Sequence, residues 1–207
     1  MFHDDATLRL DDDEEGCPEH GGDKAAGNPV GRQLLKSRTI LIAKPVDKDL
    51  MRDVTAQLIV MSDEDSTRPI TVYVNSPGGD ADSGFAIYDM MRFVKAPVRT
   101  ICAGLAASAA VIIYLGGEKG QRYCFPNSRF LIHQPSTYAQ GQASDLEITA
   151  NEIVKIRRKY NEICADETGT PVEQIESDAN RDFWLSAQES KDYGLVDTIV
   201  TAQGEME

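Results

Sequence analysis

Residues 101–117 read ICAGLAASAAVIIYLGG, a β-compatible run that passes through alanines into an apolar segment of helical character. One hydroxyl, that of Ser108, lies at the junction. Two interpretations are open. Ser108 is either a small residue that packs in the core or caps the helix, or a nucleophile held at a strand-to-helix turn. In the second case the alanines admit a substrate carbonyl, and the helix N-terminus favours developing negative charge. Candidate partner residues elsewhere in the chain are needed to choose between these two interpretations of Ser108.

The composition is that of one globular domain with an acidic surface. A chain of 207 residues can bury one sizeable core. Its formal net charge of −13 argues against general electrostatic binding to nucleic acid or to an anionic membrane. The N-terminus lacks the pattern of a secretory signal, and no apolar stretch is long enough to span a bilayer. We therefore expect a cytoplasmic protein.

The four cysteines show no paired spacing typical of a metal site. Cys102 and Cys124 lie in apolar runs, so we expect them to be small buried residues. Reduced, unpaired thiols agree with a cytoplasmic setting.

Residues 1–30 differ from the rest of the chain. They contain the acidic block Asp11 to Glu15 and several glycines, and they show no periodic apolar face. This composition predicts a disordered N-terminal tail, with the folded domain at residues 31–207.

Strand-like and helical patterns alternate along that domain. Strands are predicted at residues 39–43, 70–74, 98–102, 122–124, 129–135, 183–185 and 195–200. Helices are predicted at residues 47–61, 80–93, 145–168, 172–177 and 186–193, besides the one after Ser108. On the longest, one face carries the apolar stripe Leu146, Ala150, Ile153, Ile156, Tyr160 and Ile163. The alternation predicts an α/β fold of βαβ units around a mainly parallel sheet.

A second unusual junction is Asn75-Ser76-Pro77-Gly78-Gly79, which follows a predicted strand and opens a helix. Because glycine adopts positive φ readily, Gly78 and Gly79 can expose backbone N–H groups. The chain has neither of the glycine patterns that bind nucleotide phosphates, so we interpret this turn as one that stabilises an anion.

His133 is the candidate base for Ser108. Of the three histidines, His3 and His20 lie in the acidic tail, whereas His133 ends an apolar run in a predicted core strand. A catalytic imidazole also needs a carboxylate that orients it. Asp182 is favoured because it directly precedes the apolar Phe183-Trp184-Leu185, but spacing alone leaves three others open: Asp178, Asp192 and Asp197.

Six motifs together resemble the proteolytic subunit of the Clp protease, in that family's order and with similar separations. They are YVNSPGG (73–79), GLAAS (104–108), FPNSR (125–129), HQP (133–135), GQASD (141–145) and YGLVD (193–197). The resemblance covers roughly residues 32–200. It implies a crotonase-like α/β fold with a protruding handle, made of a strand and the long helix.

The resemblance also implies a serine endopeptidase and assigns its site. Ser108 corresponds to the nucleophile, His133 to the general base and Asp182 to the third member of the triad. The backbone N–H groups of Gly79 and Ala109 correspond to the oxyanion hole.

For the assembly, the resemblance implies two stacked heptameric rings around a closed chamber. Arg181 would pair across the ring interface with an acid, for which Asp145 is the candidate. An AAA+ Clp ATPase of the ClpX, ClpA or ClpC type would deliver unfolded polypeptides. No cofactor is expected in this chain, because ATP is used only by that partner.

The chain departs from the family pattern near the site and at the docking surface. Ala109-Ala110 stand where the family usually has Met-Gly, and Thr137-Tyr138 replace a glycine pair. Of the aromatic residues expected in the ATPase docking groove, Tyr73 and Phe93 are retained, whereas Thr71 replaces the third. No axial-loop signature is recognisable upstream of Arg32.

Three alternatives remain at this point. The first is a weakly active ring subunit that works beside a second paralogue, an idea motivated by the altered residues around Ser108 and His133. The second is an acyl-CoA enzyme of the same fold, which would not need serine, histidine and aspartate together. The third is a serine-lysine hydrolase, which would need a lysine base.

Overall fold

A computed structural model describes residues 29–206 as helices packed around one seven-stranded sheet. The strands are β1 (Thr39–Ile42), β2 (Ile70–Ser76), β3 (Val98–Ala107), β4 (Arg122–Cys124), β5 (Arg129–Ile132), β6 (Phe183–Ser186) and β7 (Thr198–Ile199). The helices are α1 (Pro29–Lys36), α2 (Lys48–Glu64), α3 (Ala81–Phe93), α4 (Ala109–Leu115), α5 (Ala143–Thr168), α6 (Val172–Asp178) and α7 (Ala187–Asp192). A 3₁₀ turn, Gln203–Met206, follows β7.

The sheet confirms the predicted α/β class. Its main path is β1-β2-β3-β4-β7, and every pairing on that path is parallel. β5 also pairs with β3 in parallel, and β6 joins β5 in the antiparallel sense. The carboxyl ends of β2, β3 and β5 therefore lie at the same edge, where open α/β sheets bind their ligands.

The N-terminal boundary differs slightly from the prediction. α1 begins at Pro29, two residues before the expected start of the domain at residue 31. Proline is favoured at the first helical position, since its fixed φ suits the helix and its missing N–H has no acceptor there. The rest of the predicted acidic tail lies outside the described residues.

The strand before Ser108 is longer than predicted. β3 continues past Cys102 to Ala107, because Leu105, Ala106 and Ala107 pair with β5. Gly104, at φ +123°, lies within that strand instead of ending it. The last strand, predicted at residues 195–200, is shorter than expected, since β7 covers only Thr198–Ile199.

Apolar side chains from both faces of the sheet form the core. The predicted apolar face of α2 is confirmed, with Leu50, Val54, Leu58 and Met61 buried. All seven residues of α4 are buried, as are Cys102 and Cys124. The helix that follows Ser108 therefore lies in the interior.

α5 is a long helix that packs on the domain with its second half. Tyr160, Asn161, Cys164 and Glu167 are buried, whereas Leu146, Ile148 and Val154 are exposed. Of the predicted apolar stripe, Tyr160 is buried and both Ile156 and Ile163 pack against the core, whereas Leu146 near the start of the helix is exposed. Residues 133–142, which lead into α5, form neither helix nor strand. Among residues 29–206, no helix has the length and apolar character that a membrane span requires.

Candidate active site

A cavity of about 430 Å³ lies at the carboxyl edge of β2, β3 and β5. Four predicted site residues line it: Gly79, Ser108, Ala109 and His133. Much of the remaining lining is apolar, from Phe85, Ile112, Ile153, Ile156 and Tyr160. The fold therefore gathers residues from three separate stretches of sequence around one space that can hold a side chain.

Ser108 lies at the turn from β3 into α4. Its backbone adopts φ 55° and ψ −124°, a conformation that residues other than glycine rarely hold unless their surroundings fix it. Its N–H donates to the Leu131 carbonyl at 2.9 Å. Although Ser108 occupies the N-cap position of α4, its side chain makes no capping hydrogen bond. The capping interpretation is therefore wrong, and the hydroxyl is left on the cavity wall.

The sheet register brings His133 to Asp182. Ile132 of β5 pairs with Phe183 of the antiparallel β6, so the residues just beyond that pair, His133 and Asp182, lie opposite each other. The distance from His133 Nδ1 to Asp182 Oδ1 is 3.4 Å. The imidazole is 28% exposed and the carboxylate 65% exposed, so solvent reaches the aspartate more than the histidine.

The loop that carries Asp182 is fastened to the residue after His133. Gln134 donates its backbone N–H to the Ala179 carbonyl at 2.8 Å and its side-chain amide to the Asn180 carbonyl at 2.9 Å. These two bonds hold the end of β5 beside the segment that leads into β6.

The other candidate aspartates have different partners. Asp178 accepts a hydrogen bond from the Tyr193 hydroxyl, and Asp192 accepts one from the Gln188 amide. Asp197 accepts the backbone N–H groups of Gly120 and Arg122. Of the four carboxylates left open by the sequence, the structure places Asp182 at the histidine.

The Gly78-Gly79 turn is fixed by Val46, in the loop between β1 and α2. The Val46 N–H donates to the Gly78 carbonyl, and its own carbonyl accepts the Asp80 N–H, both at 2.8 Å. Gly79 has φ +149°, and a Cβ there would lie 2.3 Å from the Val46 carbonyl oxygen. Only glycine fits at this position. Neither bond uses the Gly79 N–H, which is left for another acceptor.

Ala109 is the first residue of α4, so its N–H has no acceptor within the helix. Its side chain packs where α3 comes close, since a Cβ on Gly84 would lie 3.1 Å from the Ala109 Cβ. The backbone N–H at position 109 is thus retained as a donor, although alanine replaces the methionine that the family usually has there. Thr137 and Tyr138, which replace the family's glycine pair, lie in different environments. Thr137 lines the cavity, whereas Tyr138 is 88% exposed.

The predicted interface pair is not joined within one chain. Asp145 lies in the first turn of α5, Arg181 directly precedes Asp182, and both side chains are exposed. Neither forms an ion pair with another of residues 29–206.

Sequence reasoning missed a buried polar cluster at the end of α4 that lies away from Ser108. The Arg122 guanidinium forms an ion pair with the Glu167 carboxylate, which also accepts the Tyr88 hydroxyl at 2.7 Å. Burial alone would raise the pKa of Glu167, but hydrogen bonds from Tyr88 and Arg122 hold it below its ordinary value. The available signal was position: Glu167 lies two helical turns after the buried Tyr160, on the same face of α5.

No three histidine, cysteine, aspartate or glutamate side chains within the described part of the chain are grouped to hold a metal ion. The cavity walls instead offer a hydroxyl, an imidazole and backbone N–H groups. This set of groups suits acyl transfer to a hydroxyl.

A mainly parallel sheet with a hydroxyl, an imidazole and backbone N–H groups at its carboxyl edge is typical of a hydrolase. The family model described as Clp protease matches residues 22–203, and the chain belongs to that family. The fold and the peptidase activity predicted from the motifs are thereby confirmed.

Individual relatives agree. The chain is 46% identical, over 195 residues, to the ATP-dependent Clp protease proteolytic subunit 3 of Rhizobium etli and to the protein of the same name from Rhizobium johnstonii. Each match covers 91% of this chain and 98% of the relative. A ClpP1 mutant from Listeria monocytogenes has a similar structure, with a TM-score of 0.80 and 38% identity over 86% of this chain and 99% of that one. These relatives favour a proteolytic subunit over a weakly active regulatory one, an acyl-CoA enzyme or a serine-lysine hydrolase.

Proposed function

We propose that this chain is a serine endopeptidase in which Ser108 is the nucleophile, His133 the general base and Asp182 the residue that orients the imidazole. One observation carries the proposal: Ser108 and His133 line the same cavity, and the carboxylate of Asp182 lies 3.4 Å from Nδ1 of His133. The family match supports the peptidase activity itself.

The proposed proton transfers follow from that contact. When Nδ1–H of His133 donates to Asp182, Nε2 carries the free lone pair that accepts the Ser108 proton. The serine oxygen attacks the scissile carbonyl, and the imidazolium then gives its proton to the leaving amine, which releases the first product. Water repeats the sequence on the acyl-enzyme and regenerates the Ser108 hydroxyl.

The carbonyl oxygen becomes negatively charged during the attack. We assign its stabilisation to the N–H groups of Gly79 and Ala109, which come from the two junctions on either side of the cavity. The chemistry uses only side chains and backbone donors, so the proposed reaction requires no cofactor. The apolar lining from Phe85, Ile112 and Ile156 favours an apolar substrate side chain next to the scissile bond.

Assembly into two stacked heptameric rings is part of the proposal. The first half of α5 exposes Leu146, Ile148 and Val154 on a helix that projects from the domain. Several large apolar side chains exposed along one helix favour a protein interface there. Exposed Asp145 and Arg181 supply opposite charges for the same contact between rings.

A Clp ATPase is the proposed source of substrate. Phe93 is 82% exposed at the end of α3, and Tyr73 is half-buried on β2. These two aromatic residues are the ones that the resemblance assigns to an ATPase docking groove. Unfolded polypeptides are the proposed substrates, and the cytoplasm is the proposed location.

Active-site labelling tests the mechanism. A fluorophosphonate probe is expected to label the wild-type protein at Ser108, and Ser108→Ala is expected to lose both labelling and cleavage of a fluorogenic peptide, by roughly 10⁴-fold or more. Ser37→Ala serves as the matched control, because Ser37 is an exposed serine in the turn before β1. Wild-type cleavage by Ser108→Ala would refute the mechanism.

A further inference from the structure

The nucleophile helix α4 is tied at its first end to α5. The Tyr160 hydroxyl of α5 donates to the Ser108 carbonyl at 3.4 Å, and this carbonyl also accepts the Val111 N–H at 2.9 Å. Tyr160 is only 5% exposed. Burial raises the pKa of Tyr160 well above its ordinary value, so the hydroxyl keeps its proton and remains a donor.

The second end of α4 is tied to α5 through Arg122. Its guanidinium donates to the Leu115 carbonyl at 2.7 Å and to the Gly117 carbonyl at 2.8 Å, which satisfies acceptors at the end of the helix. The same group binds both the carboxylate and the backbone carbonyl of Glu167. Tyr88 of α3 fixes the other carboxylate oxygen.

The two contacts are in register. Tyr160 and Glu167 are separated by seven residues on α5, and Ser108 and Leu115 are separated by seven residues along α4. Both intervals correspond to a rise of about 10.5 Å, so the two contacts lie about two helical turns apart along each helix.

The strained backbone of Ser108 gives this arrangement a consequence for the reaction. A non-glycine residue at φ 55° keeps its conformation only while neighbouring groups hold it. The Leu131 carbonyl holds the N–H side of Ser108, and Tyr160 holds its carbonyl side. We propose that Tyr160 and Glu167 are positioning residues that hold α4 at both ends and so keep Ser108 in its reactive conformation.

This inference, which we call the α4 clamp, rests on the proposed function because it needs Ser108 to be the nucleophile. Tyr160→Phe removes only the donor oxygen and leaves the ring in the core. Tyr193→Phe is the matched control: it removes a half-buried hydroxyl that donates to Asp178 at 2.8 Å, away from the cavity.

The experiment measures kcat and KM for a fluorogenic peptide, the rate of fluorophosphonate labelling and the thermal midpoint of all three proteins. Tyr160→Phe is expected to lower kcat and the labelling rate about 3- to 10-fold, the effect of one neutral hydrogen bond. Tyr193→Phe is expected to keep both rates while losing a similar amount of thermal stability. Equal rates in the wild type and Tyr160→Phe would overturn the clamp at its Ser108 end.

A separate variant tests the contact between Glu167 and the second end of α4. Tyr88→Phe removes one donor to Glu167 without changing the cavity lining, so kcat is expected to fall roughly twofold to fivefold while KM stays constant. An unchanged kcat would overturn this end. Failure of the proposed function can be distinguished from failure of the clamp, because the wild-type protein itself would then show no labelling at Ser108.

Discussion

Gly78 lies directly against Ser108. A Cβ on Gly78 would be 2.8 Å from the Ser108 Cβ and 2.4 Å from the Ala107 carbonyl oxygen. These distances are shorter than side-chain carbons tolerate, and the second partner is backbone, which cannot move aside. The close approach explains why glycine stands at the point where one βα turn meets the other.

Gly78→Ala is expected to lower peptidase activity at least roughly tenfold and to destabilise the fold by about 1–3 kcal/mol, because both the contact and φ +86° disfavour a side chain. Gly120→Ala is the matched control. Gly120 has the same φ of +86° but nothing within 4 Å of a Cβ, so only the backbone strain of about 1 kcal/mol applies. Peptide cleavage and urea unfolding check both variants. Equal activity in the two would contradict a packing role for Gly78.

Asp182→Asn is expected to lower kcat by roughly 10²- to 10⁴-fold, because an amide no longer selects the productive histidine tautomer. The range extends below the loss seen with a buried triad aspartate because Asp182 is 65% exposed and solvent screens its charge. Asp178→Asn is the control, since Asp178 binds Tyr193 instead of His133. Steady-state cleavage of one peptide by both variants measures the difference. Comparable loss in Asp178→Asn would mean that neither carboxylate is specific to the imidazole.

Much of the fold was predictable because the apolar periodicities are local. The helical spacing of Leu50, Val54 and Leu58 identified α2, and the β-branched run at residues 70–74 identified β2. The extension of β3 was not predictable, since Gly104 resembles a strand end until β5 supplies the pairing partner. The sequence also could not show which part of α5 packs on its own domain, because an apolar stripe has the same appearance whether the chain itself or another subunit covers it.

The candidate site, like the fold, was only partly predictable from the sequence. The sequence identified Ser108 and His133 as unusual residues, but it could not rank four aspartates, because the choice depends on the β5–β6 register. Arg122 was overlooked since a basic residue in a short strand usually points to solvent. Its burial depends on Glu167, which is 45 residues away in sequence. Contacts of this range follow from the packing of α5, not from local pattern.

A charge exchange tests the proposed contact between rings. Asp145→Arg alone and Arg181→Asp alone are each expected to shift the particle toward single rings, because each places like charges at the interface. The double variant is expected to restore the larger particle, since the charges are again opposite. Native mass spectrometry or light scattering reads the size directly. Both single variants retaining the wild-type mass would remove this pair from the assembly.

Stability in acid should depend on Glu167. Hydrogen bonds from Tyr88 and Arg122 outweigh burial and hold its pKa below the ordinary value of 4.5 in the folded state. Above pH 4.5 the carboxylate is ionised in both states, so the folded state has the full benefit of the contact. As the pH falls below 4.5, the unfolded chain takes up a proton first, and the free energy of unfolding declines until the folded group is protonated too.

Glu167→Gln removes this dependence and leaves the buried Arg122 without its counter-charge. We expect the free energy of unfolding at pH 7 to fall by up to roughly 3–5 kcal/mol and the loss below pH 4.5 to become shallower. Glu162→Gln on the same helix is the control, since Glu162 pairs with Arg158 at the surface and should contribute less than about 1 kcal/mol. Urea unfolding at fixed protein concentration across this pH range provides the measurement. If Glu167→Gln lost stability in acid as steeply as the wild type, the acid sensitivity would have to come from other carboxylates, and the Arg122 pair would not be its source.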